Sequence, residues 1–369
     1  MSRPLALALA LAIALCAGVA DAGGTPEPVG AADGGGPPEP VGVSDTGGPP
    51  EPIDPAARLP AGNTASEHWD LAAHFESGHR VYARFLITNE GPGERTAVAF
   101  GHVLTPDGAA IPFRNGRRRG AWQLGDDGRR ITIGSSALSF GAERRRFEVD
   151  NDKRGIKVSF DVAADAPGLV APPAPGGARL DLLNLASPAS GSLWLAGMAQ
   201  PRALVGRALL THSWTPAQES KIAALRIDVA TLGSGNALFL SDIRAPDGAH
   251  WSWVATSSAG EPLISHPDIR VESRSTDQSG GPYPIPSSLE LRGKGLSGSI
   301  FLEVPPVLVS DPLDSLPSLL KMVYSFGGRP RHVWAAAAAD VTLEPRITGP
   351  LGRIHSAGIA AFFFADAKP

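Results

Sequence analysis

The stretch Gly206-Arg207-Ala208-Leu209-Leu210-Thr211-His212-Ser213-Trp214 sets an imidazole between two hydroxyls and one residue short of an indole. His212 is the one side chain there that changes charge near neutral pH, so it could give or take a proton while Thr211 polarises a bound oxygen. As part of the scaffold, the same histidine would tie its strand to a loop carbonyl beside Trp214. A second group, His68, Asp70 and His74, lies at even offsets, and on a strand all three would point to one face. Two imidazoles and a carboxylate could hold a metal. No further ligands follow at an informative spacing, so a polar strand face is the reading adopted, and neither a metal nor another cofactor is expected. The runs Arg117-Arg118-Arg119 and Arg144-Arg145-Arg146 could form an anion patch, but Asp126, Asp127, Glu143 and Glu148 accompany them. They read instead as solvated strand edges that discourage aggregation. A G-x-S-x-G elbow, a Walker loop, H-E-x-x-H and a G-x-G-x-x-G between strand and helix are all missing, which counts against a standard hydrolase or nucleotide enzyme.

The elements that must position these groups are strands. Short apolar stretches at 81–87, 97–104, 131–133, 156–162 and 180–185 are separated by Gly, Pro and Asp-Gly signals. Ser77-Gly78, Asp107-Gly108, Asp127-Gly128 and Asp247-Gly248 each sit between such stretches, the pattern of antiparallel hairpins. From residue 192 to 364 the texture repeats, predicting around twenty strands in two clusters. Helical spacing is confined to Asp314 to Phe326, where Leu316, Leu319, Leu320 and Val323 recur before Gly327-Gly328. One short amphipathic helix is predicted there. A Pro, Gly and Ala-rich segment, Ala166 to Gly177, reads as a long loop or domain joint.

The first sixty residues are of another kind. Arg3, an apolar run from Leu5 to about Ala20 and the small-residue site Ala20-Asp21-Ala22 read as a signal peptide over residues 1–22, cut after Ala22. Lipoproteins usually carry a small residue before the lipid-bearing cysteine, and Leu15 stands before Cys16, so lipoprotein anchoring at Cys16 is the lesser alternative. The apolar run is short of the about 20 residues a membrane span needs, and no integral membrane segment is expected. Cys16 is the chain's one cysteine, so the mature protein is expected without disulfides. Residues 23–60 repeat at a spacing of twelve: Pro26-Glu27-Pro28-Val29-Gly30, Pro38-Glu39-Pro40-Val41-Gly42, Pro50-Glu51-Pro52-Ile53-Asp54. Such a segment has little to bury and reads as a disordered tether, with docking motifs for a partner as the alternative. The tether carries −5 of the chain's −4, which leaves the folded body about +1. A nucleic-acid binder of this size would be strongly basic, so nucleic acid is not an expected partner.

The His212 stretch resembles the signature of the family that joins carotenoid 1,2-hydratases, AttH-like exported bacterial proteins and lipocalin-type cyclases, in which a Gly leads into a Trp-x-Asp-His-x-Trp-like strand. His68-Trp69 resembles the family's opening Trp-containing strand, Phe140 to Asp161 its strand pair, and Ile222 to Trp253 the strands after the motif. The resemblance implies an all-β fold of two lipocalin-like antiparallel barrels side by side, over 61–200 and 201–369. It also implies a pocket for a lipophilic molecule at or between them. Trp69, Trp194, Trp214, Trp251 and Trp253, with Phe85, are the lining it suggests; as ordinary barrel filling the same residues would be core. In the enzymes of the family an acid next to the motif's His supplies the proton. Thr211 stands at that position here, and Ser213 where an acid is common. His212 and Thr211 are therefore the catalytic candidates that remain. The family's C-terminal Gly-x-Gly-Tyr-x-Glu-like strand also has no counterpart, since 331–340 reads Arg-His-Val-Trp and then mostly Ala.

Three expectations follow. The first is an exported or periplasmic protein that binds a hydrophobic small molecule or lipid. The second is a hydratase, isomerase or cyclase acting on a polyene-like lipophile. The third is a structural or adhesive β-module, which would have no internal cavity.

Overall fold

A computed structural model describes residues 53–365 except for 63, 90–94, 118–119, 166–167, 218, 259–262, 268, 278–284, 304–305, 311–330 and 345–351. The expected signal peptide, most of the tether and the helix expected over 314–326 lie outside the described residues.

The first sheet is built from β1 (Ser66–Phe75), β2 (Arg80–Thr88), β3 (Thr96–Leu104), β4 (Ala110–Arg117), β5 (Gln123–Leu124) and β6 (Arg130–Ile133). It continues through β7 (Ser136–Phe140), β8 (Arg144–Asn151), β9 (Ile156–Ala163), β10 (Leu169–Val170), β11 (Arg179–Leu195) and β12 (Arg202–Thr215). The second contains β13 (Leu225–Leu232), β14 (Asn236–Arg244), β15 (His250–Ser258), β16 (Ile264–His266) and β17 (Arg270–Asp277). After these come β18 (Ile285–Gly293), β19 (Leu296–Leu302), β20 (Leu308–Ser310), β21 (Arg331–Leu343) and β22 (Gly352–Phe364). One helical turn, α1 (Glu219–Ile222), joins the two sheets.

Every pairing is antiparallel. The first sheet runs β4-β3-β2-β1-β12-β11-β9-β8-β7-β6-β5 and the second β16-β15-β14-β13-β22-β21-β19-β18-β17, with β10 on β11 and β20 on β21. In each, the first strand pairs with the last long one, which curls the sheet around its own core. Inside the first lie Trp69, Phe85, Phe147 and Phe160; inside the second lie Leu240, Val254, Leu289 and Phe362. β9 shows the expected alternation: Ile156, Val158, Phe160 and Val162 are buried, and Lys157 is exposed. The predicted turns form as read; Gly108 and Gly248 take φ of 88° at the tips of β3-β4 and β14-β15, a left-handed conformation that suits glycine.

Two differences from the sequence reading bear on function. β12 completes the first sheet, so the chain changes sheets between Thr215 and Leu225 rather than near residue 200 or at the Pro/Gly-rich segment 166–177. Residues 53–59, read as the end of a disordered tether, are docked: Ile53, Ala57 and Leu59 pack on the first core.

The two curled sheets press against each other through a third set of side chains, with Ala72, Leu182 and Leu209 of the first meeting Ala230, Phe239 and Trp253 of the second. β1 is consequently buried on both faces, with all but one of its ten residues buried.

Candidate functional site

Because β1 runs between two cores, its alternate residues look into different compartments. Glu67, Trp69 and Leu71 face the inside of the first barrel; His68, Asp70 and Ala72 face the seam between barrels. The neighbouring β12 divides the same way, His212 and Leu210 inward, Thr211, Leu209 and Ser213 to the seam.

The seam holds a buried ionic network. Arg84 on β2 forks onto Asp70, Nε donating to Oδ1 at 2.6 Å and Nη2 to Oδ2 at 2.7 Å, while the Tyr82 hydroxyl donates to Oδ1 at 3.0 Å. Across the seam Arg226 Nε lies 2.8 Å from Asp228 Oδ2, and Ser241 donates to the other oxygen of Asp228. Arg84 reaches Asp228 at 3.8 Å, which links the two barrels. Glu219 of α1 stands 4.0 Å from Arg84 and 3.8 Å from Arg226. Three carboxylates thus enclose two guanidiniums away from water, an arrangement that is tolerated because each charge is paired.

His68 sits beside this network, its Nε2 3.6 Å from Asp70 Oδ2, and neither ring nitrogen has a hydrogen-bond partner. Burial holds its pKa well below the usual histidine value, helped by the positive charges of Arg84 and Arg226. Next along the seam is an aromatic set, Tyr82, Phe100, His102, His332, Trp334 and Phe363, with ring centroids 5.2 to 6.1 Å apart. Burial lowers His102 to about 4 and His332 well below its ordinary value. Both imidazoles are therefore neutral at pH 7. His102 Nδ1 and Trp334 Nε1 are buried without hydrogen-bond partners. Two cavities of about 20 Å³ each open on the seam, one against Asp70, Tyr82, Asp228 and Phe239, the other against His68, Ser213, Glu219 and Arg226. Each is the size of a single water.

A separate group closes the mouth of the first barrel. His212 Nε2 lies 2.7 Å from Glu67 Oε1, with both side chains fully buried. Trp69 stacks on the imidazole at 4.6 Å and 11°, and Trp214 packs on it at 4.9 Å. Asp181 of β11 pairs opposite His212. Burial pushes the Asp181 carboxyl up, against the pull of His212, Arg58 and Arg179.

Of the residues singled out from sequence, the fold unites Trp69, His212 and Trp214. Thr211 lies on the opposite face of β12, toward the seam. Trp253 fills the seam and donates from Nε1 to Ser265 Oγ at 2.8 Å, with Trp251 packed nearby. Trp194, at the far end of β11 from Asp181, donates to the Met198 carbonyl and belongs to neither group. His68 and Asp70 share the seam, but His74 binds Arg80 and the Leu232 carbonyl instead. No cluster of metal-ligating side chains occurs among the described residues. The acid against His212 comes from the neighbouring strand, at Glu67, and sequence reading missed it. Its spacing of two from Trp69, which puts both on one strand face, was the available signal. Asp70-Arg84 and Arg226-Asp228 were also missed: Arg84 meets Asp70 through the β1-β2 pairing, and the spacing of two between Arg226 and Asp228 puts both on one face of β13 without telling that this face meets the seam.

An all-β chain of two antiparallel curled sheets, each around its own core and packed side by side, is a tandem lipocalin-like protein. No family model and no curated protein matches the sequence. Solved structures match the fold. A protein of Nitrosomonas europaea described as AttH is 14% identical, with 85% of this chain and 98% of that chain covered at a TM-score of 0.59. CghA with Sch210972 is 15% identical, covering 88% and 97% at 0.58. Kievitone hydratase from Nectria haematococca is 9% identical, covering 86% and 98% at 0.55. The AttH-like and hydratase-like resemblance read from the sequence is thus found in the fold.

Proposed function

We propose that this protein binds a lipophilic small molecule bearing a polar group, and that the molecule lodges in the seam between the barrels. The observation that carries this reading is the pairing of neutral, partnerless nitrogens on His68, His102 and Trp334 with an aromatic wall next to a fixed ionic network. Buried polar atoms without partners are costly, and a ligand oxygen would satisfy them. Its apolar remainder would lie against Tyr82, Phe100 and Trp334. The small cavities imply that the barrels part slightly as the ligand enters, as they would between two separately cored bodies. The solved structure of CghA with Sch210972, on the same fold, supports a small-molecule role. Export through the N-terminal leader is part of this proposal.

The test is native mass spectrometry with organic extraction of protein purified from its own host, alongside titration with fluorescent fatty-acid and polyene probes. A bound lipophile whose affinity falls at least tenfold in His68→Ala or Trp334→Ala, but not in Trp194→Ala, supports the seam. A protein that is empty and takes up neither probe sinks the proposal and favours a structural β-module.

A second reading, hydration of a lipophilic double bond, has one observation in its favour. A neutral imidazole, His68, lies 3.6 Å from the Asp70 carboxylate that Arg84 fixes; it would take a proton from the water whose oxygen adds to one alkene carbon and pass it to the other carbon, with Asp70 offsetting the charge of the transient imidazolium. Kievitone hydratase, by its name a hydratase, has this fold. Incorporation of labelled oxygen from water into an extracted lipophile, lost in His68→Gln, would establish it.

A further inference from the structure

Residues 53–59 end the tether inside the mouth of the first barrel, and the contacts there are those of a ligand in a site. Glu67 accepts the Arg58 N–H on Oε1 and the Leu59 N–H on Oε2, each at 2.7 Å. Trp69 Nε1 donates to the Pro55 carbonyl at 3.4 Å, and Ala57 donates to the Gly128 carbonyl at 3.0 Å. Asp54 pairs with Arg129 at 3.1 Å, and the Arg58 guanidinium lies over Trp214 at 5.6 Å. Ile53, Ala57 and Leu59 cover the first core. Leu59 adopts φ 43°, a conformation rare outside glycine, and this bend presents the two amides to one carboxylate. Behind Glu67 stands His212, whose Nδ1 is buried without a hydrogen-bond partner.

We propose that the barrel mouth is a peptide-binding site, filled in this chain by its own third repeat. The segment it takes has a branched aliphatic residue, an acid and a proline, followed by a turn that offers two amide N–H groups. Most of the grip is on main-chain atoms, so the sequence preference rests on the aliphatic anchor and on the acid that meets Arg129. That preference separates the three repeats. Ile53-Asp54-Pro55 supplies all three features, whereas the matching positions read Val41-Gly42-Val43 and Val29-Gly30-Ala31, without acid or proline. The third copy is the docked ligand and the first two are spacers. A peptide from a partner with the same three features would compete for the mouth and, on displacing residues 53–59, open the Glu67-His212 pair to solvent. This site is independent of the seam, and its failure would leave ligand binding there untouched.

The test uses the full chain with the docked segment weakened by Ile53→Ser and Asp54→Ala, which leaves the barrel itself unaltered. A labelled peptide of residues 50–59 is titrated by anisotropy and tryptophan quenching. Saturable binding is expected to the weakened protein, at least tenfold poorer binding to the native one, whose own segment competes at an effective concentration of order mM, and at least tenfold poorer binding of a peptide of residues 38–47. Adding Glu67→Gln to the weakened chain should cut affinity for the 50–59 peptide. A weakened chain that keeps its strand circular dichroism yet ignores this peptide, or takes both peptides equally, overturns the proposal. Should that variant not fold, hydrogen exchange of the native protein decides. The Arg58 and Leu59 amides should be protected and should exchange faster with about 10 mM of the 50–59 peptide, and unchanged exchange overturns the proposal.

Discussion

Asp70 and Arg84 are buried to 6% and 2% exposure, and neither charge would be tolerable alone. Asp70→Asn leaves the guanidinium facing two weaker partners, and unfolding in urea should show a loss of about 3–5 kcal/mol. Tyr82→Phe removes a single hydrogen bond to the same carboxylate and should cost about 1 kcal/mol. A Tyr82→Phe loss as large as that of Asp70→Asn would mean that the ionic fork is not what holds this part of the seam. The buried histidines set a pH dependence. His68, His102 and His332 have folded pKa values below the unfolded value of about 6.5, so the unfolded chain binds protons that the folded one refuses. Their contribution is complete above about pH 6.5 and falls as pH drops toward about 4 for His102, by about 1.4 kcal/mol per pH unit for each histidine. Unfolding midpoints between pH 7 and 4.5 should therefore decline steeply, and less steeply in His102→Gln. An equal slope in that variant would show that His102 is not neutral in the fold.

At the scale of elements, β12 and β11 carry constraints that their sequences only partly announce. Gly206 opens the motif strand because a Cβ there would lie 2.1 Å from the His74 carbonyl oxygen on β1. Gly206→Ala should push β12 off β1 and cost about 1–3 kcal/mol, read as a lowered thermal midpoint. β11 shifts register on either side of Asn184. There Asn184 Nδ2 donates to the Ala163 carbonyl at 2.8 Å and to Ser187 Oγ at 2.7 Å, while Oδ1 accepts from Arg145. This irregularity lets Leu183 enter the first core while Leu182 and Leu185 reach the seam. Asn184→Ala leaves the carbonyl and the arginine without that partner and should destabilise by about 1–3 kcal/mol, whereas Trp194→Phe, outside both sites, should fall within about 0.5 kcal/mol.

For the whole molecule, the seam decides whether two barrels behave as one. Both sheets belong to a single compact unit, with apolar clusters and charges spanning them. Calorimetry and tryptophan fluorescence should accordingly report one coincident unfolding transition. Trp253→Ala, which opens the seam, should lower that transition by about 3–5 kcal/mol or split it in two. Two transitions in the native protein would show that each barrel stands without the other.

The period-two alternation and the Asp-Gly turns determined by themselves that this is an antiparallel all-β chain in two clusters, because face and turn are local properties. Strands such as β2, β3, β6 and β9 were legible from residues a few positions apart. So was the opening of the His212 strand with Trp214, and with it half of one site. Its other half was not: Glu67 and His212 are 145 residues apart and meet only because β12 closes the first sheet against β1. The same closure carried the change of sheets past Thr215. Alternation tells which residues share a face of β1, but not that one face meets a barrel interior and the other a second barrel. Tertiary structure alone decided that His68 and Asp70 lie in a seam with Arg84, Arg226 and Asp228. The registers and sheet contacts that do so are long-range, and their free energy is realised only when both sheets are in place.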